Sequence, residues 1–152
     1  MCLLAVALLV AFVPELGIAA DKNEEKAKET AVAFLKAVKA KDADAVVKLS
    51  AAPFAHREGG DISVLKDEDS LKKWVKERLE DLKDADKVPT EIEKMVPFAD
   101  FKDKIPDEND RKKVEEIVGK DGFVAMISFN GTDVVMLIRI KDDKAKVVGI
   151  GY

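Results

Sequence analysis

Residues 21–152 are expected to form one α+β domain, with N-terminal helices packed on a curved, mainly antiparallel sheet. Three observations carry that expectation. Apolar residues recur at helical spacing at 27–38 and again at 71–82. After residue 122 the pattern changes to long β-rich runs joined by Asn130-Gly131 and Asp142-Asp143 turns. Helices gathered early and strands gathered late fit a layer of helices on one sheet better than alternating βαβ units.

The first twenty residues read as a secretory signal rather than as part of that domain. Residues 2–13 are unbroken apolar, Pro14 breaks the run, and Gly17-Ile18-Ala19-Ala20 supplies small residues before the charged stretch that opens at Asp21. The run is shorter than the roughly 20 residues a membrane helix needs, so no stable span is expected after cleavage. No Lys or Arg precedes it, which leaves only the α-amine as its positive end. The alternative is an N-terminal helix buried on every side by the domain. Cys2, the sole cysteine, precedes the apolar run, whereas a lipoprotein cysteine follows it. Removal of residues 1–20 leaves no thiol, which excludes a disulfide scaffold, a cysteine nucleophile and a cysteine zinc site.

Along the remaining chain, Ala27, Ala31, Phe34, Leu35 and Val38 mark one face of a helix at 21–41, with Lys36, Lys39 and Lys41 suited to its C-terminal dipole. Asp42 or Asp44 caps a short helix carrying Val46, Val47 and Leu49, which residues 50–53 end ahead of Pro53. A strand pair around Gly59-Gly60 occupies 54–66. Leu71, Trp74, Val75, Leu79 and Leu82 stripe a helix at 67–83, with Asp69 or Ser70 as its cap. A strand at 90–96, with Ile92 and either Lys94 or Val96 facing inward, leads into a short helical stretch at Phe98 and Phe101. A charged surface helix at 107–118 follows, with Val114, Ile117 and Val118 as its apolar face and Gly119 as its terminator. Strands at 123–129, 134–140 and 144–152 complete the chain. The middle one is apolar throughout, as expected of a strand covered on both faces.

Composition narrows the partners. The chain has 47% hydrophobic and 37% charged residues, a balance that suits a folded domain with a charged surface. Net charge is −4, with Lys and Asp/Glu interspersed, so the basic footprint of a nucleic-acid-binding protein is missing.

Two segments resemble the nuclear-transport-factor-2-like superfamily (NTF2-like, also called the SnoaL-like or cystatin-like α+β cone). TAVAFLKAVKAKDADAVVKL at 30–49 is similar to the helix, acidic turn and helix that open these domains. VVMLIRIKDDKAKVVGIGY at 134–152 is similar to their final hairpin, with Val147-Val148-Gly149 in the closing strand. The likeness covers most of residues 24–152 and points to an uncharacterised secreted bacterial branch. Residues 97–119 depart from the simplest members by adding helix between strands. The resemblance implies a cavity between the curved sheet and the long helix. The superfamily holds isomerases, dehydratases, binding domains and assembly modules, and fold alone does not choose among them.

Candidate chemistry is sparse. His56, the single histidine, is the one candidate catalytic acid/base, with Glu58 or Asp61 as its carboxylate partner; the alternative is a solvated strand-edge histidine. Steroid-isomerising members of the superfamily use a tyrosine and acids deep in the cavity, but here the only tyrosine is Tyr152, and the strands at 123–129 and 134–140 carry no Asp or Glu. Arg139 is either an anion clamp in the cavity or an outer-face residue paired with an acid or beside Lys141. Trp74, Met126 and Met136 are the candidate ligand-binding residues, with core packing as the alternative for each. The run Asp107-Glu108-Asn109-Asp110 lacks the spacing of a calcium loop and suits a helix start. Asn130-Gly131-Thr132 matches a glycosylation acceptor but reads first as a hairpin turn. No metal and no cofactor is expected.

These readings favour a non-catalytic module of the cell envelope, periplasmic or extracellular, that binds a small apolar ligand or a protein partner. A homodimer is among the partnerships considered. The alternative is a small cavity enzyme, an isomerase or dehydratase, with His56 as its acid/base.

Overall fold

The computed structural model describes residues 16–58 and 60–151. The apolar run at 2–13 lies outside them, as does Tyr152. Among the described residues no helix is long and apolar enough to cross a membrane.

Helix α1 (Leu16–Lys39) contains most of the expected helix and begins before it. Ala27, Ala31, Phe34 and Leu35 are buried along the face that their spacing marks out. Helix α2 (Ala43–Leu49) is capped by Asp42, whose carboxylate accepts from Ala45 N at 2.9 Å. Strand β1 (Ser50–Glu58) starts directly at the helix end. Pro53 therefore does not terminate the helix; it sits inside β1, where the Ala52–Pro53 peptide is cis. The β1 ladder shifts register between Ser50 and Ala55. A residue with no N–H to donate is tolerated at such an irregular stretch. Strand β2 (Asp61–Leu65) pairs antiparallel with β1 around Gly60.

Helix α3 (Glu68–Asp81) carries the expected stripe. Its cap is Asp67 rather than Asp69 or Ser70, and the Asp67 carboxylate accepts from both Ser70 N and Ser70 Oγ. Strand β3 is confined to Lys94–Pro97, shorter than expected because residues 90–93 are irregular. Lys94 is exposed, while Met95 packs on one face of the sheet and Val96 on the other. The helical turn α4 (Phe98–Phe101) and α5 (Glu108–Val118) come next. Asp107 caps α5 by accepting from Asp110 N at 2.9 Å, and Gly119 ends it at φ +79°. Strands β4 (Phe123–Phe129), β5 (Thr132–Lys141) and β6 (Lys144–Gly151) form a meander. In both of its turns the two central residues have positive φ: Asn130 and Gly131, then Asp142 and Asp143.

The six strands make one open, curved sheet in the order β2-β1-β6-β5-β4-β3. All neighbours are antiparallel except β1 and β6, which run parallel and join the N-terminal hairpin to the C-terminal meander. Their contact is close at Gly149. A Cβ there would lie 2.8 Å from the Ala55 carbonyl oxygen and 2.8 Å from Leu137 Cδ1.

Two cores form, one on each face of the sheet. The first packs α1, α2 and α3 on Phe54, Met136, Ile138 and Val147. The second packs α4 and α5 on Ala55, Val124, Leu137 and Val148. Helix α5 is thus more than a surface helix: its charged side faces solvent, while Val114, Ile117 and Val118 cover the second face of the sheet. Strand β5 is covered on both sides, with Val134, Met136 and Ile138 toward the first core and Val135 and Leu137 toward the second.

Candidate functional site

The first core is incompletely filled at one end. A cavity of ≈ 250 Å³ opens there between the helices and the sheet. Helix α1 contributes Phe34, Leu35 and Val38, the residues at i, i+1 and i+4 of its inner face. Helix α3 contributes Trp74, Val75, Arg78 and Leu79. The sheet supplies Ile127, Phe129, Val134 and Ile150, and the connection after α3 supplies Leu82, Val88 and Pro89. The wall is almost wholly apolar because it is the open end of the same stripes that build the core.

Contacts hold the rim in place. Lys39 Nζ donates to the Val88 carbonyl at 3.3 Å, tying α1 to the connection after α3. Asn130 Nδ2 donates to Asp84 at 3.3 Å, tying the β4–β5 turn to the same segment. The Asp84 carboxyl is held below the ordinary carboxylate range, chiefly by the ammonium of Lys87 at 2.8 Å.

His56 lies on the cavity wall. It shares the inward face of β1 with Phe54, and both rings meet Trp74, with centroids 5.1 Å away for His56 and 5.4 Å for Phe54. The Arg78 guanidinium stacks over the Trp74 ring at 5.7 Å. Trp74 is half-buried, and its buried Nε1 has no hydrogen-bond partner among the described residues. Arg57 also borders the cavity, and its Nε donates to the Gly60 carbonyl at 3.0 Å. Among the described residues that line the cavity there is no Asp or Glu. Asp61 does not border it, and the Glu58 side chain lies outside the described residues.

The other singled-out residues are placed elsewhere. Met136 is 0% exposed in the first core and does not line the cavity. Met126 packs against the second core, on the opposite face of the sheet. Arg139 does not line the cavity; it lies on the opposite face of the sheet, as its outer-face alternative expected, where it meets carbonyls rather than an acid. Its guanidinium donates to the carbonyls of Ile117 and Ala52, each at 3.4 Å, bracing α5 and β1 against β5. Asp107 serves as the cap of α5, and among the described residues no three His, Cys, Asp or Glu side chains come together as metal ligands. A smaller cavity of ≈ 150 Å³ lies on the second face, bordered by Arg57, Lys104 and Asp133.

Sequence reasoning missed Arg78 and the apolar rim at Leu82, Val88 and Pro89. Arg78 stands at i+4 from Trp74, the spacing that stacks two side chains on a helix. That signal was present in the sequence. Val88 and Pro89 come from an irregular connection and carry no periodic signal, whereas Leu82 continues the stripe of α3 at its C-terminal end.

No protein-family model matches the sequence, and no curated protein matches it. Solved structures do. One is an uncharacterized cystatin-fold protein from Novosphingobium aromaticivorans, 15% identical over 83% of this chain and 96% of that one, with a TM-score of 0.44. Another is a chain from Xanthomonas campestris assigned as a calcium/calmodulin dependent protein kinase II association domain. It is 11% identical over 99% of this chain and 94% of that one, with a TM-score of 0.37.

Proposed function

We propose that this chain is an exported, non-catalytic binding module of the NTF2-like class, and that its cavity takes a small, largely apolar ligand. One observation carries the reading: the cavity beside His56 is walled almost wholly by apolar side chains. Burial of apolar surface is what such a wall offers a ligand. Proton transfer in a cavity of this kind calls for an acid and a base whose environments separate their pKa values. Among the described residues the wall supplies one imidazole, stacked against an indole. Export is supported by the apolar run at 2–13 followed by Gly17-Ile18-Ala19-Ala20.

The competing reading, a cavity enzyme, draws on His56 being in the wall at all. A ligand-induced thermal shift against a panel of apolar metabolites separates the two. The binding reading expects the same ligands to raise Tm in the native protein and in His56→Ala. That substitution should itself cost about 0.5–1.5 kcal/mol, from the lost ring contact with Trp74. If His56→Ala removed the ligand response, or a turnover, while stability stayed level, the enzyme reading would replace this one.

A further inference from the structure

We propose that two copies of this chain associate edge to edge through β2, which pairs antiparallel with its counterpart about a two-fold axis at Ser63. The pairing is independent of what the cavity holds. The sheet ends in β3 on one side and β2 on the other. Strand β3 is blunted as exposed edges commonly are: it has four residues, an exposed Lys94 and Pro97 at its end. Strand β2 has none of these devices. Residues 61–65 contain no Pro and no Lys, and they pair with β1 in unbroken register from Phe54↔Leu65 to Glu58↔Asp61. Among the described residues no strand pairs with the other side of β2.

The hairpin fixes which groups β2 offers. Glu58 and Asp61 flank its two-residue turn, and residues that flank such a turn bond to each other. Alternation along the ladder makes His56 with Ser63 and Phe54 with Leu65 the other hydrogen-bonded pairs, so the N–H and C=O of Ile62 and Val64 point outward. Water can satisfy them, but a strand of matching pattern satisfies them and buries apolar side chains as well. A second copy of β2 is such a strand. The antiparallel register centred on Ser63 uses every residue from Asp61 to Leu65. Ile62 of each copy exchanges both N–H···O bonds with Val64 of the other, Asp61 stands opposite Leu65, and Ser63 meets Ser63. Residues opposite one another share a face of the sheet, so Ile62 and Val64, which already pack on the second core, extend that apolar face across the axis. Phe101, half-buried beside Ile62 at the smaller cavity, borders the same face. Asp61 is the only ionisable residue of β2. The register sets the two copies of it at opposite ends, each near Lys66 of the other copy, so like charges do not meet.

Sedimentation equilibrium of the full chain over a concentration series should show the mass doubling from one chain to two. It should grow no further, because two-fold pairing closes on itself. A short strand addition buries little area, so the dimer should dissociate on dilution. Ser63→Lys, at an exposed position, sets two ammonium groups face to face at the axis, and Val64→Pro removes an outward N–H. Each should hold the mass at one chain, and Ser63→Lys should keep the native circular dichroism and Tm. Register is read by cross-linking in chains carrying Cys2→Ser, which removes the only native thiol. Ser63→Cys should there give a disulfide dimer on oxidation with diamide. Opposite residues of a non-hydrogen-bonded pair have Cα atoms about 4.5 Å apart, within reach of a disulfide. Asp61→Cys should give none, since its counterpart lies roughly 13 Å along the strand. A single-chain mass at every concentration, assembly beyond two, a dimer unchanged in Ser63→Lys, or cross-linking at Asp61→Cys as efficient as at Ser63→Cys would overturn the proposal.

Discussion

At the scale of single residues, Trp74 does most to define the site. It belongs at once to the core, through Phe54, and to the cavity, through His56 and Arg78. Its burial is partial, so Trp74→Ala is expected to cost about 3 kcal/mol, the low end for a buried aromatic truncated to Ala. Trp74→Phe should cost about 1 kcal/mol or less. It keeps most of the ring contacts and removes a buried N–H that has no hydrogen-bond partner among the described residues, a group that is itself unfavourable. Denaturant midpoints of both variants check this, and a Phe variant as unstable as the Ala variant would show that the indole N–H is satisfied after all. The helical stripe containing Trp74 was legible from spacing alone. Its neighbours His56 and Phe54 were not, because they lie on a strand whose apposition to α3 is a tertiary fact.

At the scale of elements, the caps and the central strand set what can change. Asp67 holds the start of α3 by accepting from Ser70, and those hydrogen bonds lower its pKa below the ordinary carboxylate value. A lowered native pKa means that the contribution is fully present above the unfolded-state value, near 4, and is lost as pH falls through the native one. Asp67→Ala should therefore be less stable than the native protein at pH 7, and the gap should narrow toward pH 2 in parallel urea titrations. A gap independent of pH would mean that Asp67 acts by shape alone. In β5, Met136 is 0% exposed. Met136→Asp places a carboxylate where no basic partner is described, so a loss of at least about 3 kcal/mol is expected at neutral pH. Part of it should return on acidification as the carboxyl becomes neutral. A variant with unchanged stability would show that the strand's inner face admits water. The apolar character of β5 was plain in the sequence, but which of Asp67, Asp69 and Ser70 caps α3 was not. All three are competent cap residues within one turn, and the choice falls to the one left in extended backbone, Asp67.

At the scale of the whole molecule, the export proposal turns on how the start of the chain is anchored. Among the residues whose burial is described, Ala27, Ala31, Phe34 and Leu35 anchor α1 to the sheet, and all four follow Asp21, so cleavage near Ala20 would leave these four in place. Mass spectrometry of envelope or medium fractions is expected to find an N-terminus near Ala20 or Asp21; intact Met1 in soluble cytoplasm would defeat the export proposal. Local patterning was enough to determine the helices, the two positive-φ hairpin turns and the doubly covered β5, since periodicity, caps and turn residues act within a few positions of the chain. The parallel pairing of β1 with β6, the second core beneath α5 and the placing of Arg139 against two carbonyls were decided only when the chain closed on itself. Each depends on contacts between residues distant in sequence, such as Ala55 with Gly149 and Arg139 with Ala52. The cavity belongs with them. Its lining residues look like core in the sequence because they are core residues by type, and they face open space only because the curved sheet and the helices part at one end.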